Sequence, residues 1–574
     1  MVFINLLLSL FLLLGILIYC YVYPKKKLSL FRLIILFSLL PLWTLLRPGS
    51  YESGDLSLHI YRSISFFASL SEGNLIPKWS QELNMGFGYP IFIFAPPLTY
   101  YIVSFLHLLG FSFLVAMKML LAASYILSGI IMFLWVKEEI NEKTAFISST
   151  LYLYTPYHLI DLNFRANPGE VILFALFPLS LLLVNKFRKN LTIKYFILLS
   201  LALGLMIIAH PVSLILFPVT FAYALILFFR TKNKKYLLLI FLSFILSLLL
   251  TTFYWLTELV ESKFTLQIYL HSKVVFQDLA DLIFSPYRYG LLFQGSHGEL
   301  SFLLGYAHLV GLIFFVFFVF KKIIKKKETP VAFLFFLILV LYLFLILPIS
   351  EPIWNLFPII KNLQFSYRLL LPIALLTSFL AGLGISKVKN NKLVAIFLAL
   401  AIFTTILNWG NRRNVPEQKD AYFKETLHLA TMGGEGGVPG APMWTDINYP
   451  WATSSAKTTL EIIKGRSEVQ NKERTSTLHM YDVEVSEESL LKENTLYFPG
   501  WKVFANEKEL AINPANTDYK GVITFSLDKG MYEVKVIFED TKIREYSKKI
   551  SFFAGILLIL MLFNAFFQKI IDRN

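Results

Sequence analysis

Residues 236–256 read YLLLIFLSFILSLLLTTFYWL, an uncharged run of 21 residues. A helix rising about 1.5 Å per residue needs roughly 20 apolar residues to cross the hydrocarbon core of a bilayer, so this segment reads as a transmembrane helix. Its flanks orient it. Arg230, Lys232, Lys234 and Lys235 precede the run, and Glu258 and Glu261 follow it. Short cytoplasmic loops retain lysine and arginine, so the start of the run faces the cytoplasm and its end faces out.

Comparable apolar runs extend in both directions, at 3–21, 28–46, 113–136, 145–160, 171–184, 195–209 and 212–229, then at 301–320, 331–347, 369–385, 393–409 and 550–567. Together they predict a polytopic α-helical membrane protein with about 13 transmembrane helices. The composition agrees: with 56% apolar and only 16% charged residues in a chain of 574, too little polar surface exists to coat a soluble globule. The net charge of +15 does not indicate a nucleic-acid partner. Its lysines and arginines cluster in loops between apolar runs, as topology signals do.

Those clusters are Lys25, Lys26 and Lys27 with Arg32; Lys186, Arg188, Lys189 and Lys194; the lysines of 321–327; and Lys387, Lys389 and Lys392. Placing all of them in the cytoplasm selects one topology in a plasma membrane. The N-terminus is outside, Lys569 and Arg573 are inside, and every long loop is external. That parity requires the apolar stretch 91–107 not to cross, and Pro96 with Pro97 favours an external helix lying on the bilayer or re-entering it. Cys20 is the single cysteine, so no internal disulfide and no cysteine-rich metal site is possible. The first run lacks a basic start and a small-residue cleavage site, and reads as a retained anchor.

The domain reading follows. Residues 1–409 form the membrane domain, with an external loop at 47–112; residues 410–548 form an external domain; residues 549–574 supply the final span and a cytoplasmic tail. Within the external domain, the link Gly433-Gly434-Glu435-Gly436-Gly437-Val438-Pro439-Gly440 separates an irregular lead from segments of period two. Tyr532, Val534, Val536 and Phe538 alternate with more polar neighbours, and Asp528-Lys529-Gly530 supplies a turn. This pattern predicts a small β-sandwich, mainly from residue 449 onward.

Candidate chemistry gathers in the external loops. If 56–71 is helical, Asp55, His59 and Arg62 lie along one face. The carboxylate could deprotonate an attacking hydroxyl, and His59 or Arg62 could orient it or hold a phosphate; equally, Asp55 could serve only as a helix cap. Trp79, Asn84 and Tyr89 stand in a loop dense in turn formers and aromatics, able to stack on sugar rings or to sit in an interfacial belt. Arg165 and Glu170 are interfacial charges, kept for function or as a mutual ion pair. His210 before Pro211 reads as a packed residue or a site member. Glu258 ends a span on the same external side. Gln364-Phe365-Ser366-Tyr367-Arg368 stands at the mouth of a later span, where the arginine could reach a lipid phosphate or snorkel. The glycine-rich link lacks the lysine and the strand-to-helix context of a nucleotide-binding loop.

The order Gly54-Asp55, His59, Pro77-Lys78-Trp79, Asn84-Met85-Gly86-Phe87-Gly88-Tyr89-Pro90 and Ala95-Pro96-Pro97-Leu98-Thr99-Tyr100-Tyr101 resembles the GT-C superfamily of membrane glycosyltransferases. Within it the chain is most similar to the membrane proteins labelled 6-pyruvoyl-tetrahydropterin synthase-related and to YfhO-like proteins, a label that implies no pterin chemistry. The similarity continues through Thr155-Pro156-Tyr157, Arg165 with Glu170, Ala209-His210-Pro211, Phe253-Tyr254-Trp255-Leu256, Gln364 to Arg368 and Tyr497-Phe498-Pro499-Gly500-Trp501. It departs at Ala166, where glycine is usual, at Ser366, where proline is common, and at Phe498.

The resemblance implies a GT-C-like fold with external juxtamembrane helices and a polyprenyl-phosphate sugar as donor. It implies Asp55 as the general base of an inverting transfer, with Arg368, Arg165 or His59 stabilising the departing phosphate. His59 then counts as catalytic, and Arg62, Trp79, Asn84, Tyr89, Arg165, Glu170, His210, Glu258, Gln364 and Arg368 as substrate-binding. The acceptor would be a cell-envelope glycan, lipid or protein. A divalent metal assists some members, but no ligand cluster in the sequence demands one. The competing readings are a transporter or flippase of lipid-linked sugars and a non-catalytic envelope scaffold.

Overall fold

A computed structural model describes residues 2–23, 28–266, 274–284, 300, 302–320, 330–410, 413–430, 440–445, 455–516 and 518–571. The basic clusters at 25–27 and 321–327 and the glycines of 433–437 lie outside the described residues.

Six helices among the described residues are long and apolar enough to cross a bilayer: Phe113–Glu139, Pro168–Lys189, Ser213–Thr231, Ser366–Ser386, Asn391–Asn408 and Lys542–Asn564. Two bent pairs, Lys234–Leu250 with Thr252–Phe264 at 68° and Pro330–Leu345 with Pro348–Leu356 at 94°, make eight if each is one span. The expectation of about 13 crossings is not reproduced by length and composition, which six to eight spans among the described residues satisfy. Hydropathy counts apolar residues, whereas a span needs them in one unbroken helix. Phe3–Tyr19, Leu30–Leu46, Ile193–Ala209 and Tyr306–Val319 are apolar but only 10–17 residues long. The run at 145–160 is interrupted after Leu153 and restarts at Pro156, buried except at Phe146, which is partly exposed.

The helices that position the site are α1 (Leu56–Ser71), α2 (Leu98–Leu108), α3 (Pro168–Lys189), α4 (Ile193–Ala209), α5 (Lys234–Leu250), α6 (Thr252–Glu261), α7 (Leu370–Ser386) and α8 (Lys542–Ile571). The stretch 91–107 breaks at the two prolines into a four-residue turn of helix and α2. With 11 residues, α2 rises only about 16 Å, well short of a hydrocarbon core.

The C-terminal region holds β3 (Glu461–Arg474), β4 (Leu478–Leu496), β5 (Trp501–Ala505), β6 (Lys508–Leu510), β7 (Val522–Leu527) and β8 (Gly530–Phe538), following a two-residue pair of β1 (Ser50–Tyr51) and β2 (Asn414–Val415). Among the described residues these six strands form one antiparallel sheet in place of the expected β-sandwich. The long β4 pairs with β3 along one edge, and with β8 and then β7 in succession along the other. The second layer is not a sheet. Trp79, Leu83, Phe87, Tyr89 and Ile91 to Phe94 of the first long loop bury against Val483, Trp501, Val503 and Val534 in one apolar core.

Candidate functional site

Two backbone hydrogen bonds seat the loop that leads into α1. Gly54 N–H donates to the Phe164 carbonyl and Asp55 N–H to the Arg165 carbonyl, both at 2.8 Å. Asp55 occupies the N-cap position of α1 yet makes no side-chain cap; the Ser53 hydroxyl instead accepts the Leu56 N–H at 3.1 Å. Freed from capping, the Asp55 carboxylate accepts a hydrogen bond from the Asn167 amide at 3.3 Å. The other end of Asn167 caps α3 by accepting the Glu170 N–H at 3.2 Å, so one side chain ties the first turn of α3 to Asp55.

The carboxylate opens onto a cavity of ≈ 200 Å³. Of the residues singled out in the sequence, Asp55, His59, Arg62, His210, Glu258, Gln364 and Arg368 line it, drawn from four separate stretches of chain. Two guanidinium groups face this space with two carboxyl groups. Arg62 is buried and lies within hydrogen-bonding reach of the Tyr89 and Tyr100 hydroxyls. Burial first, then Arg62 and His210, hold the His59 imidazole well below its usual range, and its Nδ1 pairs with the Tyr100 hydroxyl at 3.1 Å. Burial likewise lowers His210 to about 3 against the pull of Glu170. Both rings are therefore neutral near pH 7. His210 Nδ1 accepts the Val212 N–H at 3.2 Å, which leaves the ring proton on Nε2, 3.7 Å from Glu170.

Behind the cavity wall, Glu170 gathers the cations. Arg165 donates to it from both Nη atoms at 2.9 Å, Arg368 Nε stands 3.2 Å away, and the Tyr157 hydroxyl donates at 2.6 Å. Arg165 also donates to Asp161 at 2.7 Å. Burial, and then Glu170, push the Asp161 carboxyl well above the usual carboxylate range. This cluster forms because the chain between Pro156 and α3 turns through a five-residue π-helical segment, Asp161–Arg165, and then reverses at Ala166 with φ 50°. Left-handed backbone favours glycine, which accounts for the glycine usual at this position. Gly169 lets α3 approach α4: a Cβ there would stand 2.4 Å from the Ala209 carbonyl oxygen.

Five of the expected residues stand in settings other than the sequence reading gave them. Arg165 does not line the cavity, because its guanidinium is spent on Glu170, Asp161 and Tyr157 and covered by the Tyr367 ring at 5.2 Å. Trp79 is fully buried against Trp501 and Phe538 of the C-terminal sheet. Asn84 is buried at φ 57°, facing neither cavity nor solvent. Tyr89 backs Arg62 instead of facing the cavity, and His59, being neutral, supplies no cation. Conversely, Tyr157, Asp161, Asn167 and Tyr100 were passed over as site residues. Asp161 and Arg165 carry the one signal that could have flagged them, opposite charges four apart in an apolar setting. Among the described residues no three His, Cys, Asp or Glu side chains are grouped to hold a metal ion.

The profile of a membrane-protein family described as the 6-pyruvoyl-tetrahydropterin synthase related domain matches residues 92–411. An uncharacterized protein of Lactococcus lactis subsp. cremoris is 23% identical over 226 residues, covering 37% of this chain and 36% of that one. Among solved structures, an apo oligosaccharyltransferase from Archaeoglobus fulgidus aligns at 13% identity and TM-score 0.42, over 74% of this chain and 61% of its own. An arabinofuranosyltransferase from Mycobacteria aligns at 17% identity and TM-score 0.40, over 67% of this chain and 27% of its own. The chain thus spans less than two thirds of the length of each of these proteins.

Proposed function

The chain belongs to the family of membrane proteins that carry the 6-pyruvoyl-tetrahydropterin synthase related domain, and from that premise we propose that it is a glycosyltransferase acting at the outer face of the membrane on a polyprenyl-phosphate-linked sugar. One observation carries the reading: Asp55, free of its capping role, and the guanidinium of Arg368 face the same ≈ 200 Å³ cavity. A base and a phosphate-binding cation in one enclosed space are what transfer of a sugar from a lipid phosphate requires.

In this reaction the acceptor hydroxyl oxygen attacks the anomeric carbon while the bond from that carbon to the phosphate oxygen breaks, with inversion. The proton passes to Asp55, which the Asn167 amide orients. The polyprenyl phosphate leaves with an added negative charge, met by Arg368; Glu170 and the Leu363 carbonyl, an acceptor at 2.8 Å, hold that guanidinium in place. Arg62 supplies a second cation across the cavity. A low-dielectric surround strengthens both interactions.

The test is transfer from defined polyprenyl-phosphate sugars by the purified protein, compared with Asp55→Asn. Transfer by the wild type and loss in the variant support the reading; equal transfer by both removes Asp55 from it. The proposed orientation is tested separately in a Cys20→Ser background by placing single cysteines at Glu487 and Lys194, both exposed. A membrane-impermeant thiol reagent added to intact cells should label only the first.

A further inference from the structure

Leu363-Gln364-Phe365 form a γ-turn: Gln364 adopts φ 64°, ψ −43°, and the Phe365 N–H donates to the Leu363 carbonyl at 2.7 Å. This backbone is strained for a residue with a Cβ and persists only where the surroundings over-determine it. Here they do. The Val275 N–H donates to the Gln364 carbonyl at 3.1 Å, the Ser366 N–H donates to the Val275 carbonyl at 2.9 Å, and the Ser366 hydroxyl donates to the Ile346 carbonyl at 2.8 Å. The serine that departs from the usual proline is thus one of the staples.

The strained turn sets Gln364 into the cavity wall beside Arg368, whose guanidinium donates to the carbonyl that closes the turn, Leu363 O, at 2.8 Å. Among the described residues the Gln364 carboxamide has no hydrogen-bond partner. A carboxamide offers donor and acceptor together, so it suits a group that is both, such as a ring hydroxyl. Resting on the glycosyltransferase reading, we propose that Gln364 is a specificity-determining residue, hydrogen-bonding the hydroxyls of the glycosyl group whose phosphate Arg368 holds. A site that binds a substrate hydroxyl rejects the analogue that cannot match it, because its own polar group is then left unpaired.

The experiment compares the wild type with Gln364→Gly, which keeps the left-handed backbone, and Gln364→Met, which keeps the bulk. The full-length protein in nanodiscs is titrated, by native mass spectrometry, with polyprenyl phosphate and with polyprenyl-phosphate glucose, galactose, mannose and N-acetylglucosamine. Melting temperatures confirm folding, with the glycine variant at or above the wild type. The wild type should prefer one sugar, while both variants bind unglycosylated polyprenyl phosphate within about twofold of wild type and lose that preference by about tenfold. Retained phosphate binding with an unchanged sugar preference overturns the role of Gln364 alone. Failure of the wild type to bind any of these lipids overturns the parent reading and this one with it.

Discussion

Glu170 and Arg165 meet through two parallel hydrogen bonds, Nη1 to Oε2 and Nη2 to Oε1, each 2.9 Å long, with the carboxylate fully buried. Removing the charge from Glu170 leaves Arg165 buried with Asp161 and Tyr157 as its remaining partners and takes the carboxylate from Arg368; breaking a buried pair in this way costs about 3–5 kcal/mol. Glu170→Gln should therefore destabilise the protein by about that much, read from unfolding in detergent. It should also release Arg368, so that affinity for polyprenyl phosphate falls. A stability change under about 1 kcal/mol would show that the pair does not hold this wall.

Asp55 stands at a helix N-cap without capping, and that separates its two possible roles. The cap is made by Ser53, which accepts the Leu56 N–H. Ser53→Ala should cost about 1 kcal/mol of stability. Asp55→Asn should change stability by less than about 0.5 kcal/mol, while transfer falls at least about 100-fold. If the asparagine variant instead melts early and keeps its transfer rate, Asp55 is structural.

Which parts of this were legible in the sequence depends on the range of the interactions. Membrane class and the sharing of one cavity by Asp55, His59, Arg62, His210, Glu258, Gln364 and Arg368 follow from local signals: apolar runs, a helical face and polar residues at the outer ends of runs. The fate of Trp79, Asn84 and Tyr89 does not. Their loop is rich in aromatics because it forms the second layer of a core whose first layer lies about 400 residues later in the chain, and no local pattern announces such a partner. The structure does not reproduce the span count by helix length, because apolar runs such as 195–209 form helices of 10–17 residues, and a short helix is as apolar per residue as a long one.

Lys78 reports on the same loop-to-sheet contact through pH. Burial first, and Lys548 next, hold its ammonium down to about 7, against the pull of Asp540 at 2.7 Å; Asp540 also serves Lys548 at 2.6 Å, so one carboxylate is shared between two cations. The folded protein gives up this proton at about pH 7, whereas an unfolded lysine keeps it to about 10.4. Between those values the unfolded state binds more protons, so the contribution of Lys78 to stability rises with pH. Melting temperature should climb from pH 7 to 9.5 more steeply in the wild type than in Lys78→Met. Parallel pH profiles would contradict this assignment.

Arg544 couples the C-terminal sheet, α8 and the site-bearing α6 at a single point. It donates to Glu261 from Nε at 3.0 Å and Nη2 at 2.8 Å, donates to the Pro499 carbonyl at 2.7 Å, and lies 4.7 Å over the Phe538 ring, with both charges buried. Glu261 follows the cavity residue Glu258 on α6 by about one turn. Arg544→Met should cost about 3–5 kcal/mol, because Glu261 is left in an apolar setting with the Thr541 hydroxyl as its remaining partner. Adding Glu261→Leu removes the stranded charge, so the double variant should be more stable than Arg544→Met alone. The coupling energy from the cycle should exceed about 1 kcal/mol; additivity within about 0.5 kcal/mol would mean that the two residues act independently and that the C-terminal sheet is not anchored to α6 through this pair.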